Sequence, residues 1–166
     1  MAYLVYPGAN HTRFDHSLGV YHVASLMVNK LLSKYDDEQK RLVRFAALLH
    51  DVGHGPFSHI SEYILDKYSS VSKGASRDKI HEKITGKLIA KDFELKKILS
   101  SDERNAIIGL LSGKKIDSTL MKHIVSGPLD ADKVDYLLRD SYFCGVKYGV
   151  FDYYQMLDEL GSYKDE

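Results

Sequence analysis

Apolar residues recur at three- and four-residue intervals through most of the chain, and this spacing predicts helices along nearly its whole length. From about 12 to 35 the apolar positions are Leu18, Tyr21, Val23, Ala24, Leu26, Met27, Leu31 and Leu32, with Thr12 or an adjacent residue as N-cap. A second helix fits about 37–52 through Leu42, Val43, Phe45, Ala46, Leu48 and Leu49. The cluster Gly53, Gly55 and Pro56 ends it or bends it sharply. Ser58 opens a third helix to about Lys67, and the polar stretch 69–76 reads as a loop. Periodicity resumes over 77–91 through Ile80, Ile84, Leu88 and Ile89. Short helical segments follow at about 93–99, 102–111, 118–126, 130–143 and 152–163. The first ten residues differ: they read as a β-like or extended piece closed by a Pro7-Gly8 turn. With no βαβ alternation, repeat or low-complexity tract, the expected architecture is an all-α, multi-helix globule with a short extended N-terminal segment.

The composition narrows what such a globule does. A chain of 166 residues with 44% apolar and 28% charged content suits one soluble domain, residues 1–166, burying roughly 70% of its unfolded surface. Lys+Arg and Asp+Glu balance at 23 each, so nothing in the net charge draws the chain to nucleic acid or an anionic membrane. Phosphate recognition has to come from a local cluster. The single cysteine, Cys144, has no partner for an internal disulfide, and no basic leader with an apolar core opens the sequence, so a reducing cytoplasmic setting is expected. The longest apolar runs are far too short to span a bilayer.

The candidate chemistry centres on His50-Asp51, two adjacent polar residues in the run Phe45-Ala-Ala-Leu-Leu-His50-Asp51-Val-Gly-His54-Gly-Pro-Phe-Ser-His59. An imidazole and a carboxylate at the end of an apolar helix suit a divalent cation, whose charge offsets the cost of taking the carboxylate from water. His16 on the first helix and Asp132 on a late one extend the pair to a separated His…His-Asp…Asp set. Two imidazoles and two carboxylates leave coordination positions for water or substrate, as a catalytic ion needs. Each member alone has a plainer reading: His16 as a hydrogen-bonded core histidine, Asp132 as a helix-start carboxylate beside the dipole. Their order and surroundings carry the inference.

Three strings bear a family likeness: His11-Thr-Arg13-Phe-Asp-His16-Ser-Leu-Gly-Val, then Leu49-His50-Asp51-Val-Gly-His54-Gly-Pro-Phe-Ser-His59, then Asp130-Ala-Asp132-Lys133-Val-Asp135-Tyr136-Leu-Leu-Arg139-Asp140. In this order they resemble the HD-domain phosphohydrolases, and within them the deoxynucleoside triphosphate triphosphohydrolases. The resemblance implies His16, His50, Asp51 and Asp132 as metal ligands, holding Mn, Fe, Zn, Ni or Co, with Mg accompanying the substrate phosphates. It implies Arg13 and Lys133 as phosphate contacts, Tyr136 at the phosphates and sugar, and Asp140 as acceptor for the sugar 3′-hydroxyl. His54 and His59 would lie near the α-phosphate, His81 would protonate the leaving oxygen, and Glu62 would orient either His59 or His81. The remaining histidines, His11, His22 and His123, read as structural or solvated.

The implied reaction cleaves a dNTP to deoxynucleoside and inorganic triphosphate. The alternatives are an HD-type phosphodiesterase or nucleotidase on another nucleotide, and a nucleotide-binding module without turnover. Family members usually carry segments upstream of Tyr6-Pro7-Gly8 and beyond Asp152. The resemblance therefore implies that this chain is the core of a longer enzyme, a homo-oligomer when entire, with apolar surface at Tyr3, Leu4, Val5, Tyr6, Tyr153, Tyr154 and Met156 left to be covered.

Overall fold

The computed structural model describes residues 2–57, 59–68, 80–113 and 119–161, with only the backbone described at Ala2 and His59. Six of the described helices open on a side chain that satisfies their first amides. Thr12 caps α1 (Arg13–Leu31) and exchanges hydrogen bonds with Asp15 in a capping box. Asp36 and Gln39 do the same for α2 (Asp37–Leu49), and Ser100 and Glu103 for α6 (Ser101–Ser112). Asp92, Asp130 and Asp152 cap α5 (Phe93–Ile98), α8 (Ala131–Cys144) and α9 (Tyr153–Glu159). The remaining helices are α3 (His59–Tyr68), α4 (Ile80–Lys91) and α7 (Thr119–Ser126).

All described regular structure is helical, in line with the expected all-α class. The N-terminal piece departs from expectation: Ala2–Leu4 is a 3-10 turn, not an extended segment. Among the described residues there is no strand for an extended piece to pair with, so its backbone groups bond locally instead. The predicted loop at 69–76, together with Ser58, Arg77, Ser118 and the end of the last predicted helix, lies outside the described residues.

Helix α1 runs through the centre. It packs against α2, α7 and α8, and Val20, Val23, Ala24, Met27 and Val28 are buried along it. Contact on several sides explains why its apolar residues do not form one stripe. Val43, Ala46 and Ala47 of α2, Ile107 and Leu110 of α6, Ile124 of α7, and Ala131 and Val134 of α8 complete the core. The small residues Ala24, Ala46, Ala47 and Ala131 allow the helices to approach closely, which brings the start of α1, the end of α2 and the start of α8 together. No described helix is long and apolar enough to cross a membrane.

Candidate active site

His16 lies in the first turns of α1, His50 is the C-cap of α2 with Asp51 directly after it, and Asp132 is in the first turn of α8. The structure brings all four together. Asp132 Oδ1 is 3.0 Å from His16 Nε2 and 3.6 Å from His50 Nε2, which is itself 3.4 Å from Asp51 Oδ1. Ligand-type atoms of His16, His50 and Asp51 all lie within 4.8 Å of one another. The His50 ring is set by Nδ1, 2.8 Å from the Ala47 carbonyl it donates to, which turns the Nε2 lone pair toward the cluster. That Nε2 is buried and has no hydrogen-bond partner. An orphaned imidazole nitrogen facing carboxylates fits a divalent cation.

Residues behind the cluster hold it in place. Asp135 Oδ2 accepts from His16 Nδ1 at 2.8 Å, and Arg139 grips the same carboxylate through Nε at 2.8 Å and a terminal nitrogen at 2.9 Å. Helix α1 makes room with Gly19, where a Cβ would stand 1.8 Å from Asp135 Oδ1. On the other side Thr85 Oγ1 accepts from the Gly53 amide at 3.0 Å and donates to the His50 carbonyl at 3.3 Å, pinning the turn after α2. Gly53 is needed there for the same steric reason, since a Cβ would meet Thr85 Oγ1 at 2.4 Å. The sequence reading assigned no role to Asp135, Arg139 or Thr85. The first two carried a usable signal, Asp135 falling three residues after Asp132 and four before Arg139 on one helix.

Charge balance follows from this packing. Burial disfavours the His16 cation, but the hydrogen bonds it donates to Asp132 and Asp135 outweigh it and raise the pKa to about 9. His50 is raised against the same burial penalty by Asp132 and Asp51. Burial would raise Asp132, yet its hydrogen bond to His16 and the neighbouring His50 imidazole hold it far below the usual carboxylate range. The packing therefore favours positive charge at the cluster, which a divalent cation would supply.

A second group adjoins the first. His54 Nε2 lies 3.4 Å from Asp51 Oδ1, and its Nδ1 lies 3.3 Å from Glu62 Oε1. His81 Nδ1 is 2.9 Å from the same oxygen, and the two rings stack with centroids 4.0 Å apart. Between the partners the sequence left open, Glu62 meets His81; the side chain of His59 lies outside the described residues. Burial, reinforced by the charges of His81 and Arg13, lowers His54 to about 4 against the pull of Asp51 and Glu62, leaving it a neutral imidazole.

Two cavities open on either side of the four-residue cluster. One, of about 500 Å³, is lined by His54, His81, Glu82, Thr85 and Lys133. The other, of about 280 Å³, is lined by His11, His16, Tyr136, Arg139 and Asp140. Arg13, Asp51 and Asp132 border both, with an Arg13 guanidinium nitrogen 2.6 Å from Asp51 Oδ2. Tyr136 and Asp140 follow Asp132 at four-residue steps and share its side of α8, whereas Lys133 faces the other cavity. There Lys133 Nζ donates to the Gly127 carbonyl at 2.9 Å and to Asp130. Asp140 pairs with His11 Nε2 at 3.2 Å and accepts from the Tyr148 hydroxyl at 3.3 Å. His11 thus lines the site, where the sequence suggested only a structural or solvated residue.

The chain as a whole is similar to several known proteins. The chain is similar to the crystal structure of a hypothetical protein from Aquifex aeolicus, with TM-score 0.77 and 39% identity over 98% of this chain and 42% of that one. It is also similar to a phosphohydrolase from Bacteroides thetaiotaomicron, with TM-score 0.72 and 34% identity over 97% of this chain and 37% of that one. A curated relative, the deoxynucleoside triphosphate triphosphohydrolase SAMHD1 homolog of Dictyostelium discoideum, is 35% identical over 85% of this chain and 29% of its own length. The chain spans between 30% and 38% of the length of curated relatives that match nearly all of it. The HD domain model matches residues 13–138, from the first turn of α1 to the middle of α8, so that the chain belongs to the HD-domain phosphohydrolase family.

Proposed function

We propose that this chain is the catalytic core of a metal-dependent hydrolase that cleaves deoxynucleoside triphosphates to deoxynucleoside and inorganic triphosphate. The observation that carries the reading is the meeting of His16, His50, Asp51 and Asp132 between two cavities, with Arg13 on the border of both. Likeness to a named dNTP triphosphohydrolase supports the substrate class. These four residues would hold a divalent transition metal, Mn, Fe, Zn, Ni or Co, and the donor set suits each of them. When bound, such an ion supplies Lewis-acid charge at a phosphoryl group and lowers the pKa of water toward neutrality.

The chain's own residues supply the rest. Arg13 offers a guanidinium fork to phosphate oxygens, and Lys133 adds a positive charge on the wall of the larger cavity. A triphosphate, with Mg on its oxygens, would lie along that wall. Glu62 accepts from His81 Nδ1, which sets the tautomer and leaves the imidazole able to deliver a proton to the departing 5′-oxygen once charged. His59 is the other candidate donor. His54, uncharged and packed on His81, shapes the α-phosphate pocket. In the smaller cavity Tyr136 would lie against the sugar and Asp140 would accept from its 3′-hydroxyl. The cytoplasm, where dNTPs are found, is the expected compartment, and the longer parent protein would be a homo-oligomer.

The test is a product assay: purified protein, Mn²⁺ or Mg²⁺, each dNTP, and chromatographic separation of products. Deoxynucleoside with triphosphate is expected. Monophosphate with pyrophosphate, or no cleavage by protein with metal bound, sinks the reading. Asp132→Ala should empty the His16, His50 and Asp51 cluster of metal and abolish turnover.

A further inference from the structure

We propose that His11 and Tyr148 are positioning residues that fix the Asp140 carboxylate for one task, accepting the 3′-hydroxyl of a bound nucleotide. The inference rests on the nucleotide reading above and deepens it. Two segments that flank α8 in sequence converge on this one side chain. Ahead of α1 the chain passes tight against the end of α8 at Gly8, where a Cβ would stand 2.4 Å from the Phe143 carbonyl oxygen. That approach seats the His11 ring by the Phe143 ring, with centroids 5.0 Å apart, and brings His11 Nε2 to 3.2 Å from Asp140 Oδ1. After α8 the chain folds back along the helix at Gly149, whose amide donates to Ser141 Oγ at 2.9 Å and where a Cβ would meet the Leu137 carbonyl oxygen at 2.0 Å. The returning loop carries Tyr148 back to Asp140, and its hydroxyl donates to Oδ2 at 3.3 Å.

Each carboxylate oxygen therefore has its own partner, drawn from a different segment of the chain. His11 Nδ1 is buried and meets no hydrogen-bond partner among the described residues, which assigns the ring proton to Nε2, the nitrogen beside Asp140. A carboxylate held at both oxygens loses its freedom to rotate yet keeps acceptor capacity, because its two oxygens offer about four lone-pair sites. Asp140 lines the smaller cavity with Tyr136, so that capacity is offered where a sugar would enter. Tyr148 stands outside that cavity's lining and acts on the sugar only through Asp140. An acceptor fixed beforehand spares the ligand the cost of ordering it.

The measurement compares the dNTP cleaved best with its 2′,3′-dideoxy counterpart, which lacks the hydroxyl. In His11→Ala and in Tyr148→Phe, kcat/KM for the dNTP should fall about tenfold, the worth of one hydrogen bond, chiefly through KM. The dideoxynucleotide, assayed as substrate or as competitive inhibitor, should behave as it does with the native protein. His11→Gln, whose amide can donate from the place of Nε2, should restore much of the loss. Equal losses on both nucleotides, or no loss on either, overturn the proposal. Tyr148 is 62% exposed, so Tyr148→Phe gives the reading in a folded protein even where His11→Ala fails to fold. A native protein that cleaves no dNTP sinks the hydrolase reading, and calorimetry with the four 2′-deoxynucleosides and their 2′,3′-dideoxy counterparts then decides this one. A preference for the 3′-hydroxyl that Tyr148→Phe weakens upholds it; no such preference in the native protein, or one that the substitution leaves intact, overturns it.

Discussion

Asp135 illustrates how a residue outside the proposed ligand set governs it. Its carboxylate accepts a hydrogen bond from His16 Nδ1 while Arg139 holds the carboxylate from behind, so the His16 ring can turn only by leaving a fixed acceptor. Partners of this kind orient a ligating histidine and raise its basicity. Asp135→Asn keeps the shape but removes the charge, and metal affinity measured by calorimetry should fall by about 10- to 100-fold. Unchanged affinity would mean that His16 is held by packing alone. Asp135 was present in a motif read from the sequence, yet its role emerged only when α1 and α8 were seen side by side. Asp132 and Asp135 are chemically alike, and their three-residue separation does not say which faces the cluster. The choice is made by Gly19, whose missing side chain lets Asp135 reach His16 from beneath.

At the level of the helices, boundaries were legible because caps are local. Thr12, Asp130 and Asp152 each sit within a residue of a predicted start, and the helix ends moved by four residues or fewer where both are described. Capping also makes α6 sensitive to acid. Glu103 accepts from the Ser100 amide, bonds its hydroxyl and meets Arg41; these contacts hold its pKa below the ordinary carboxylate value. A group whose pKa is depressed on folding adds stability above its unfolded value, and that stability is lost as pH falls through the folded value. Thermal unfolding of Glu103→Gln should therefore lie below the native protein at neutral pH and converge with it in acid. A gap that persists or widens at low pH would show that the contacts do not depend on the charge. The N-terminal turn is the element that sequence misjudged. Its apolar and aromatic residues favour a strand only where a neighbouring strand exists.

Across the whole molecule, α1, α2 and α8 each contribute to one cluster, so a cation bound there ties together helices distant in sequence. An ion that binds only the folded state stabilises it by about 2.7 kcal/mol at a concentration 100 times its Kd. Adding Mn²⁺ to stripped protein should raise the unfolding temperature by several degrees, and Asp132→Ala should largely remove that increase. No shift in the native protein would argue against a folded-state ion. Much of this was available from the sequence alone: helical periodicity, the caps, and the types and order of the proposed ligands, because each depends on residues near one another along the chain. The tertiary structure decided the rest. It determined that His16, His50, Asp51 and Asp132 meet, that Lys133 and Tyr136 face different cavities, that Glu62 takes His81 as a partner, and that His11 belongs beside Asp140. Those outcomes depend on how closely α1, α2 and α8 approach, and that distance is set by small residues and glycines packed across helices, which no local pattern records.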